Sequence, residues 1–377
     1  MRRLLVLDRP AALAYLASVA VGLVVLAAAG QMTSGHNLYR DFVRFHAYLS
    51  PQTLYYPTAS QVVALARETG RPDQTLVIIG GSSIAYGAGQ GTGDLWTRAL
   101  ERRLGDRYAV LNLAMLGGTL QEHGGVAAEA LIAGGRDVVF VGQGAGAADG
   151  RVYRAIVWDA RARGYLLPDP EREAALDLPA SPQLDEERSE LRIRSALDRW
   201  LAFADLWTAI GYRVGFTVWW PGIPPGYLFA EPRAAFSDPT VSLPPDAHHP
   251  PHLEQTHRTA IDTLLAGVCT QGEDRAWKPK PETNLGIALL LPPALRERSL
   301  LLVMVPSPHY RSHPSESAQA CLVATFAQST DRLRAEGYRT LLLGEDWTEA
   351  DYVDLLHTSP ANAERMAAEI AEAIRAR

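Results

Sequence analysis

Cysteine is scarce in this chain, and runs of basic residues are absent. The 377 residues include two cysteines, Cys269 and Cys321, and the formal net charge is −6. Two cysteines are too few for a disulfide framework; whether this pair forms a bond in an oxidising compartment is left open by the sequence. Because basic and acidic residues are interspersed, no surface typical of nucleic-acid binding is predicted. We therefore expect no nucleic-acid partner.

Patterns that predict a metal site are also sparse. Histidine is concentrated between Asp246 and His252, with His257 five residues further on. Prolines interrupt this segment, and no second acidic or cysteine element has the spacing of metal ligands. We expect these histidines to lie in an exposed loop, and we expect no metal and no cofactor.

Charge is missing altogether from residues 11–29, which are almost entirely apolar. At 1.5 Å per residue, a helix of this length reaches roughly the 30 Å of a bilayer core. Arg2, Arg3 and Arg9 precede it, which favours a cytoplasmic N-terminus and an extracytoplasmic remainder. An uncleaved anchor at residues 1–32 is the favoured interpretation, because the run is long for a signal sequence. The alternatives are a signal peptide cleaved after the alanines at 27–29 and a buried core helix.

After a connector at residues 33–72, short apolar runs alternate with segments of helical spacing. This alternation predicts an α/β domain at residues 73–377, built on a parallel sheet with helices on both faces. This alternation stops in an insert at about residues 150–298, which contains a predicted long helix from Leu184 to about Tyr212. The predicted strands are 76–79, 108–113, 137–141, 299–305 and 339–343, and the predicted helices outside the insert are 60–69, 94–104, 122–132, 316–336 and 361–374.

The first strand ends on two glycines followed by Ser82 and Ser83. A strand, a tight turn and a serine present a hydroxyl beyond the sheet edge, where the N–H groups that start a following helix face a developing oxyanion. The same turn is compatible with phosphate binding or with an ordinary strand–helix connection. Sites in parallel sheets lie beyond the carboxyl ends of the strands.

Near the C-terminus, Asp354 and His357 are three residues apart. At that spacing in a turn or helix start, two side chains project to the same side. In serine hydrolases a histidine takes and returns the serine proton, and a carboxylate fixes its tautomer. The other interpretation of this pair is a surface loop with a chance Asp and His. Glu349 and Asp351 are nearby carboxylates that compete with Asp354 for the carboxylate role.

Together with the block from Asn112 to Thr119, these segments resemble the SGNH/GDSL hydrolase superfamily. The stretch from Gly81 to Gly87 fits its Gly-Asp-Ser-x-x-x-Gly block, with Ser82 in place of the aspartate. The spacing to Gly87 selects Ser83 as the nucleophile, with Ser82 as the alternative. The resemblance implies a flavodoxin-like, three-layer α/β/α fold with about five parallel strands.

The resemblance also implies an oxyanion hole and shows one departure from the family. Asn112, Gly117 and Thr119 fit the second block, so the N–H groups of Ser83 and Gly117 are the expected donors. The asparagine of the third block is replaced by Gly144. Three hypotheses follow: Gln143 supplies a substitute amide, the hole has backbone donors alone, or the site is no longer hydrolytic.

Anchored members of this superfamily, such as the D-alanylation protein of teichoic acids, often work beside a membrane-bound O-acyltransferase. By that resemblance we expect an extracytoplasmic serine esterase or O-acyltransferase. It would act on acyl esters of envelope glycans through a Ser83–His357–Asp354 triad and an acyl-enzyme, with a membrane-bound O-acyltransferase as a partner. The alternative is a non-catalytic subunit of the same fold that binds a glycan or a membrane protein complex.

Overall fold

The computed structural model describes residues 8–34, 36, 48–50, 53–54, 58–91, 93–114, 120, 123–143, 201–214, 265–266, 268–273, 275–280, 291, 293–308, 315–354 and 356–377. Among the predicted features, the oxyanion-hole residue Gly117, the substituted position Gly144 and the histidine segment from Asp246 to His252 lie outside these residues.

The helices and strands follow the order of the chain. The strands are β1 (Tyr48–Ser50), β2 (Thr53–Leu54), β3 (Thr75–Gly81), β4 (Tyr108–Asn112), β5 (Val138–Gln143), β6 (Cys269–Gln271), β7 (Trp277–Pro279), β8 (Ser299–Met304) and β9 (Arg339–Leu343). The helices are α1 (Arg9–Thr33), α2 (Ala59–Glu68), α3 (Ser83–Tyr86), α4 (Trp96–Leu104), α5 (His123–Ala133), α6 (Phe203–Val214), α7 (Pro293–Arg296), α8 (Glu316–Ala335) and α9 (Ala363–Arg375).

A five-stranded parallel sheet organises the domain, with strand order β4-β3-β5-β8-β9. The predicted α/β class is therefore confirmed, and all five predicted strands are present. In β3, Leu76 and Ile78 pack with α2, α5 and α8 on one face, while Val77 and Ile79 pack with α4 and α9 on the other. Helices on both faces explain why the strand is continuously apolar rather than alternating.

The order of the elements along the chain determines which end of each helix lies at which edge of the sheet. α5 ends just before β5 begins, so its last turn lies at the amino edge of the sheet. The guanidinium of Arg136, three residues beyond α5, donates to the carbonyl oxygens of Thr69 (3.3 Å) and Arg71 (2.6 Å), which follow α2. The C-terminal end of α2 is therefore tied to the amino edge, and its N-terminal end points toward the carboxyl edge.

The predicted long helix from Leu184 to about Tyr212 is wrong as a single element. The described part, α6, begins at Phe203. Ala202 just before it has φ of 45°, in the left-handed region that an α-helix does not use. Residues 184–200 lie outside the described residues.

The N-terminal helix α1 is 25 residues long and carries the predicted apolar run. Its first turn is capped by Asp8, whose Oδ1 accepts a hydrogen bond from the Ala11 N–H at 2.9 Å. No residue of its most apolar 18-residue window is buried. The interpretation as a buried core helix is thus wrong, and the helix is long and apolar enough to span a membrane or to be a signal sequence.

A disulfide joins Cys269 in β6 to Cys321 in α8, with their Cα atoms 6.4 Å apart. It attaches the β6–β7 hairpin to α8 beside a small apolar cluster that includes Val268, Ala318 and Leu322. The cross-link closes a loop of 52 residues that contains part of the insert. The pairing that the sequence left open is thus made in the structure.

Replacing both cysteines by serine is expected to lower the free energy of unfolding by about 2–4 kcal/mol, because the unfolded chain gains the freedom of an open loop. The measurement is urea unfolding of the detergent-solubilised protein. Wild type treated with reductant should unfold at the midpoint of the double variant. Equal midpoints for oxidised wild type and variant would contradict a stabilising bond.

Candidate active site

The end of β3 places Ser83 at the carboxyl edge of the sheet. Gly81 has φ of 122°, and a Cβ there would overlap the carbonyl oxygen of Gln143 on β5, so this position requires glycine. Ser82 then has extended backbone, and Ser83 begins the short helix α3. As the first residue of a helix, Ser83 has a backbone N–H without an intrahelical acceptor.

A closed loop holds Asp354 and His357 on the opposite side of the site. Asp354 Oδ1 accepts hydrogen bonds from the backbone N–H groups of Leu356 (2.9 Å) and His357 (2.8 Å). The Val353 N–H donates to the His357 carbonyl at 2.9 Å. The Asp354 carboxylate therefore caps its own turn, and this turn directs the side chains of Asp354 and His357 to the same side.

Two short hydrogen bonds connect the loop to the strand end. His357 Nε2 lies 2.7 Å from Ser83 Oγ, and His357 Nδ1 lies 2.6 Å from Asp354 Oδ2. The His357 and Asp354 side chains are only 12% and 19% exposed, so the pair is largely shielded from water. The order Asp, His, Ser with these distances suits transfer of the serine proton to the imidazole.

The competing carboxylate Asp351 has another structural role. Its Oδ2 accepts hydrogen bonds from the backbone N–H and the hydroxyl of Thr348, at 2.7 and 2.9 Å. It thereby caps the short 3-10 helix Glu349–Asp351. The structure brings Asp354, and not Asp351, to His357.

The surroundings of Asp354 lower the pKa of its carboxyl. Burial acts in the opposite direction and would raise the pKa, but the hydrogen bond and charge of His357 outweigh it, helped by the backbone N–H groups of Leu356 and His357. The carboxylate stays ionised at neutral pH. It can therefore hold the Nδ1–H of His357 and stabilise an imidazolium.

Ser82, the alternative nucleophile, makes a different contact. Its hydroxyl donates to Oε1 of Gln143 at 2.6 Å. The two side chains meet because Gly81 and Gln143 are paired in register at the ends of β3 and β5. Because the Gln143 oxygen accepts from Ser82, the NH₂ group is the donor that remains on this amide.

Asn112, on the neighbouring strand, stabilises the turn that begins with Ser83. It is buried, and its Nδ2 donates to the carbonyl oxygens of Ala85 and Tyr86, both at 3.3 Å, while its Oδ1 accepts from the Ala114 N–H at 3.1 Å. The asparagine that suggested an oxyanion-hole block thus braces α3. Gly117 and Thr119 of the same block lie outside the described residues.

Gln90 belongs to the site but could not be selected from sequence patterns. It is fully buried, its Nε2 donates to Thr358 Oγ1 at 2.9 Å, and its Oε1 accepts the Trp96 N–H at 3.0 Å. This side chain connects the loop after Ser83 to the residue after His357. A lone glutamine among glycines has no motif, so its role follows from tertiary contacts alone.

The lowered pKa of Asp354 predicts a pH-dependent contribution to stability. Because its folded pKa lies below the unfolded one, the contribution is complete above the unfolded pKa and is lost as the pH falls through the folded pKa. Asp354→Asn keeps an oxygen to cap the turn and removes the charge. We expect the variant to have a lower free energy of unfolding than wild type at neutral pH. The difference should shrink as the pH falls below the usual pKa range of carboxyl groups.

Urea titrations at a series of pH values check this expectation. Asp331→Asn is the matched control, because the Asp331 side chain is 74% exposed and its ion pair with Arg334 is on the surface. A constant difference between Asp354→Asn and wild type down to strongly acidic pH would show that the Asp354 carboxylate does not stabilise the fold.

The chemistry of the site is inferred from its geometry. No protein-family model, no curated protein and no solved structure matches this chain.

Proposed function

We propose that this protein is a serine esterase or O-acyltransferase with an SGNH-type fold, in which Ser83, His357 and Asp354 form the catalytic triad. The observation that carries the proposal is the pair of hydrogen bonds of 2.7 and 2.6 Å through the two nitrogens of His357. A structural histidine has no need of a serine hydroxyl on one nitrogen and an ionised, shielded carboxylate on the other. A nucleophile with its base requires both.

The reaction proceeds in two acyl transfers. Ser83 Oγ attacks the carbonyl carbon of an acyl ester while its proton passes to His357 Nε2. The tetrahedral intermediate collapses, the ester C–O bond breaks, and His357 returns the proton to the departing alkoxide. Water or an acceptor hydroxyl then attacks the acyl-serine, with the same proton path, and Ser83 is regenerated.

Gln143 replaces the side-chain amide that the family supplies at the position of Gly144. Its oxygen is held by Ser82, and its NH₂ group joins the Ser83 N–H and, by resemblance, the Gly117 N–H in stabilising the oxyanion. Ser82 is then a positioning residue for Gln143. This pairing gives a physical reason for a Gly-Ser-Ser block in a chain that lacks the usual asparagine.

An extracytoplasmic, membrane-anchored location fits two features of the chain. The apolar helix α1 is long enough to cross a bilayer core, and the basic residues Arg2, Arg3 and Arg9 lie at its N-terminal end. The disulfide between Cys269 and Cys321 is of the kind that persists outside the cytoplasm. Together with the resemblance to anchored SGNH proteins, these features favour acyl esters of envelope glycans as substrates and a membrane-bound O-acyltransferase as partner.

A fluorophosphonate probe tests for an activated serine without knowledge of the substrate. In the detergent-solubilised wild type we expect labelling at Ser83, identified by peptide mapping. Ser83→Ala should abolish the label, and His357→Ala should slow labelling strongly, because the hydroxyl loses its base. Ser82→Ala should still be labelled at Ser83, although more slowly, because Gln143 loses the hydroxyl that positions it.

Labelling that moves to Ser82, or that survives in Ser83→Ala, would contradict the assignment of the nucleophile. If the wild type does not react under conditions in which a control serine esterase does, the catalytic proposal fails. A non-catalytic subunit that binds a glycan or a membrane complex is then the better account.

The role of Gln143 predicts a separate effect on the rate. Gln143→Ala should slow labelling at Ser83 by about a hundredfold, the typical effect of losing one oxyanion donor. The phosphonyl oxygen of the probe occupies the same position as the oxyanion, so the rate constant of labelling is the measurement. Gln271→Ala, at an exposed glutamine of β6, is the control. If Gln143→Ala is labelled at the same rate as wild type, the oxyanion hole consists of backbone donors alone.

A further inference from the structure

Helix α6, which belongs to the insert, exposes three large apolar side chains on one face. Phe203, Trp207 and Ile210 are 44%, 58% and 47% exposed. Their spacing of four and three residues places them on one stripe of a helix. The rings of Phe203 and Trp207 are stacked, with centroids 6.5 Å apart. Such a stripe facing water is unusual for a soluble surface.

The opposite face of α6 is fixed to the α/β domain through Asp205. This carboxylate is fully buried, and it accepts hydrogen bonds from the hydroxyls of Ser60 (2.7 and 2.8 Å) and Thr58 at the start of α2. Gln61 Nε2 donates to the Asp205 carbonyl at 3.3 Å. At about 100° per residue, Asp205 lies roughly opposite the apolar stripe, so these bonds hold the stripe facing outward.

The start of α6 also contacts the end of α1. Gly30 is the buried residue of α1, and a Cβ there would overlap the carbonyl oxygen of Leu201 and lie 2.9 Å from that of Ala202. Glycine permits this backbone approach, as small residues do where helices meet in membranes. The apolar surface of α1 and the apolar stripe of α6 therefore belong to adjoining elements.

The position of this contact along α1 sets its depth in a membrane. From Arg9 to Gly30 the helix rises roughly 30 Å, which is the thickness of the hydrocarbon core. With Arg9 at one surface of the bilayer, Gly30 and the adjoining α6 lie at the other. Tryptophan is enriched at this level, where its ring contacts acyl chains and its N–H contacts headgroups.

We propose that α6 is an interfacial helix whose stripe of Phe203, Trp207 and Ile210 inserts into the lipid next to α1. Lipid is the occupant because the stripe adjoins a helix of membrane-spanning length at the depth of the interface. The domain thus has two membrane contacts: a spanning helix and an interfacial helix that fixes its orientation. This contact is independent of the chemistry at Ser83.

Depth-dependent quenching in liposomes tests the insertion directly. The full-length protein keeps both native cysteines in their disulfide, and the variants Trp207→Cys and Ile210→Cys each add one free cysteine. This free cysteine is labelled with an environment-sensitive fluorophore. Both positions are exposed, so neither substitution opens a cavity. The liposomes contain phosphatidylcholine and phosphatidylglycerol, and part of the phosphatidylcholine carries a nitroxide either near the headgroup or near the end of the acyl chain.

The expected result is strong quenching at both positions by the shallow nitroxide and weaker quenching by the deep one. Arg334→Cys in α8, at a side chain that is 54% exposed, is the control and should not be quenched by either lipid. Fluorescence at residues 207 and 210 that is as insensitive to both lipids as the control would overturn the proposal. Since no other protein is present, a quenched signal identifies lipid rather than a protein partner as the occupant.

Discussion

The hydrogen bond between the Ser83 hydroxyl and Nε2 of His357 joins residues that are 274 positions apart in the chain, and the candidate site depends on it. A distance of 2.7 Å between two loops requires that both loops be held from several sides. Gln90 connects them directly through Thr358. The Tyr352 hydroxyl donates to the carbonyl oxygen of Val305 at 2.8 Å, which ties the histidine loop to the end of β8. These bonds position the two halves of the site against each other.

The same parallel sheet explains how much the sequence could predict. Continuous apolar runs such as Leu76 to Ile79 identify strands that are covered on both faces, and the close spacing of Asp354 and His357 makes a local pair visible. The contact of Ser82 with Gln143 depends on the register of β3 against β5, which a sequence does not contain. The break at Ala202 is likewise hidden, because an alanine carries no signal for a positive φ.

The buried carboxylate of Asp205 shows how the insert becomes part of the domain. A charge removed from water is costly unless it is hydrogen-bonded. Here Thr58 and Ser60, which open α2, supply hydroxyls to that carboxylate while Thr58 also caps the helix with Gln61. One cluster of polar side chains thus serves as a helix cap and as the attachment of α6. The rest of α6 is then free to present apolar side chains.

The bonds from Arg136 to the end of α2 have a consequence for access. They hold the C-terminal end of α2 at the amino edge of the sheet. The ten residues of α2 span about 15 Å, so its N-terminal end lies toward the carboxyl edge. Thr58 and Ser60, and with them α6 and the end of α1, therefore lie toward the end of the domain that presents Ser83. In the proposed membrane orientation, the edge of the sheet that presents Ser83 faces the lipid surface, and a substrate attached to the envelope would reach the serine laterally.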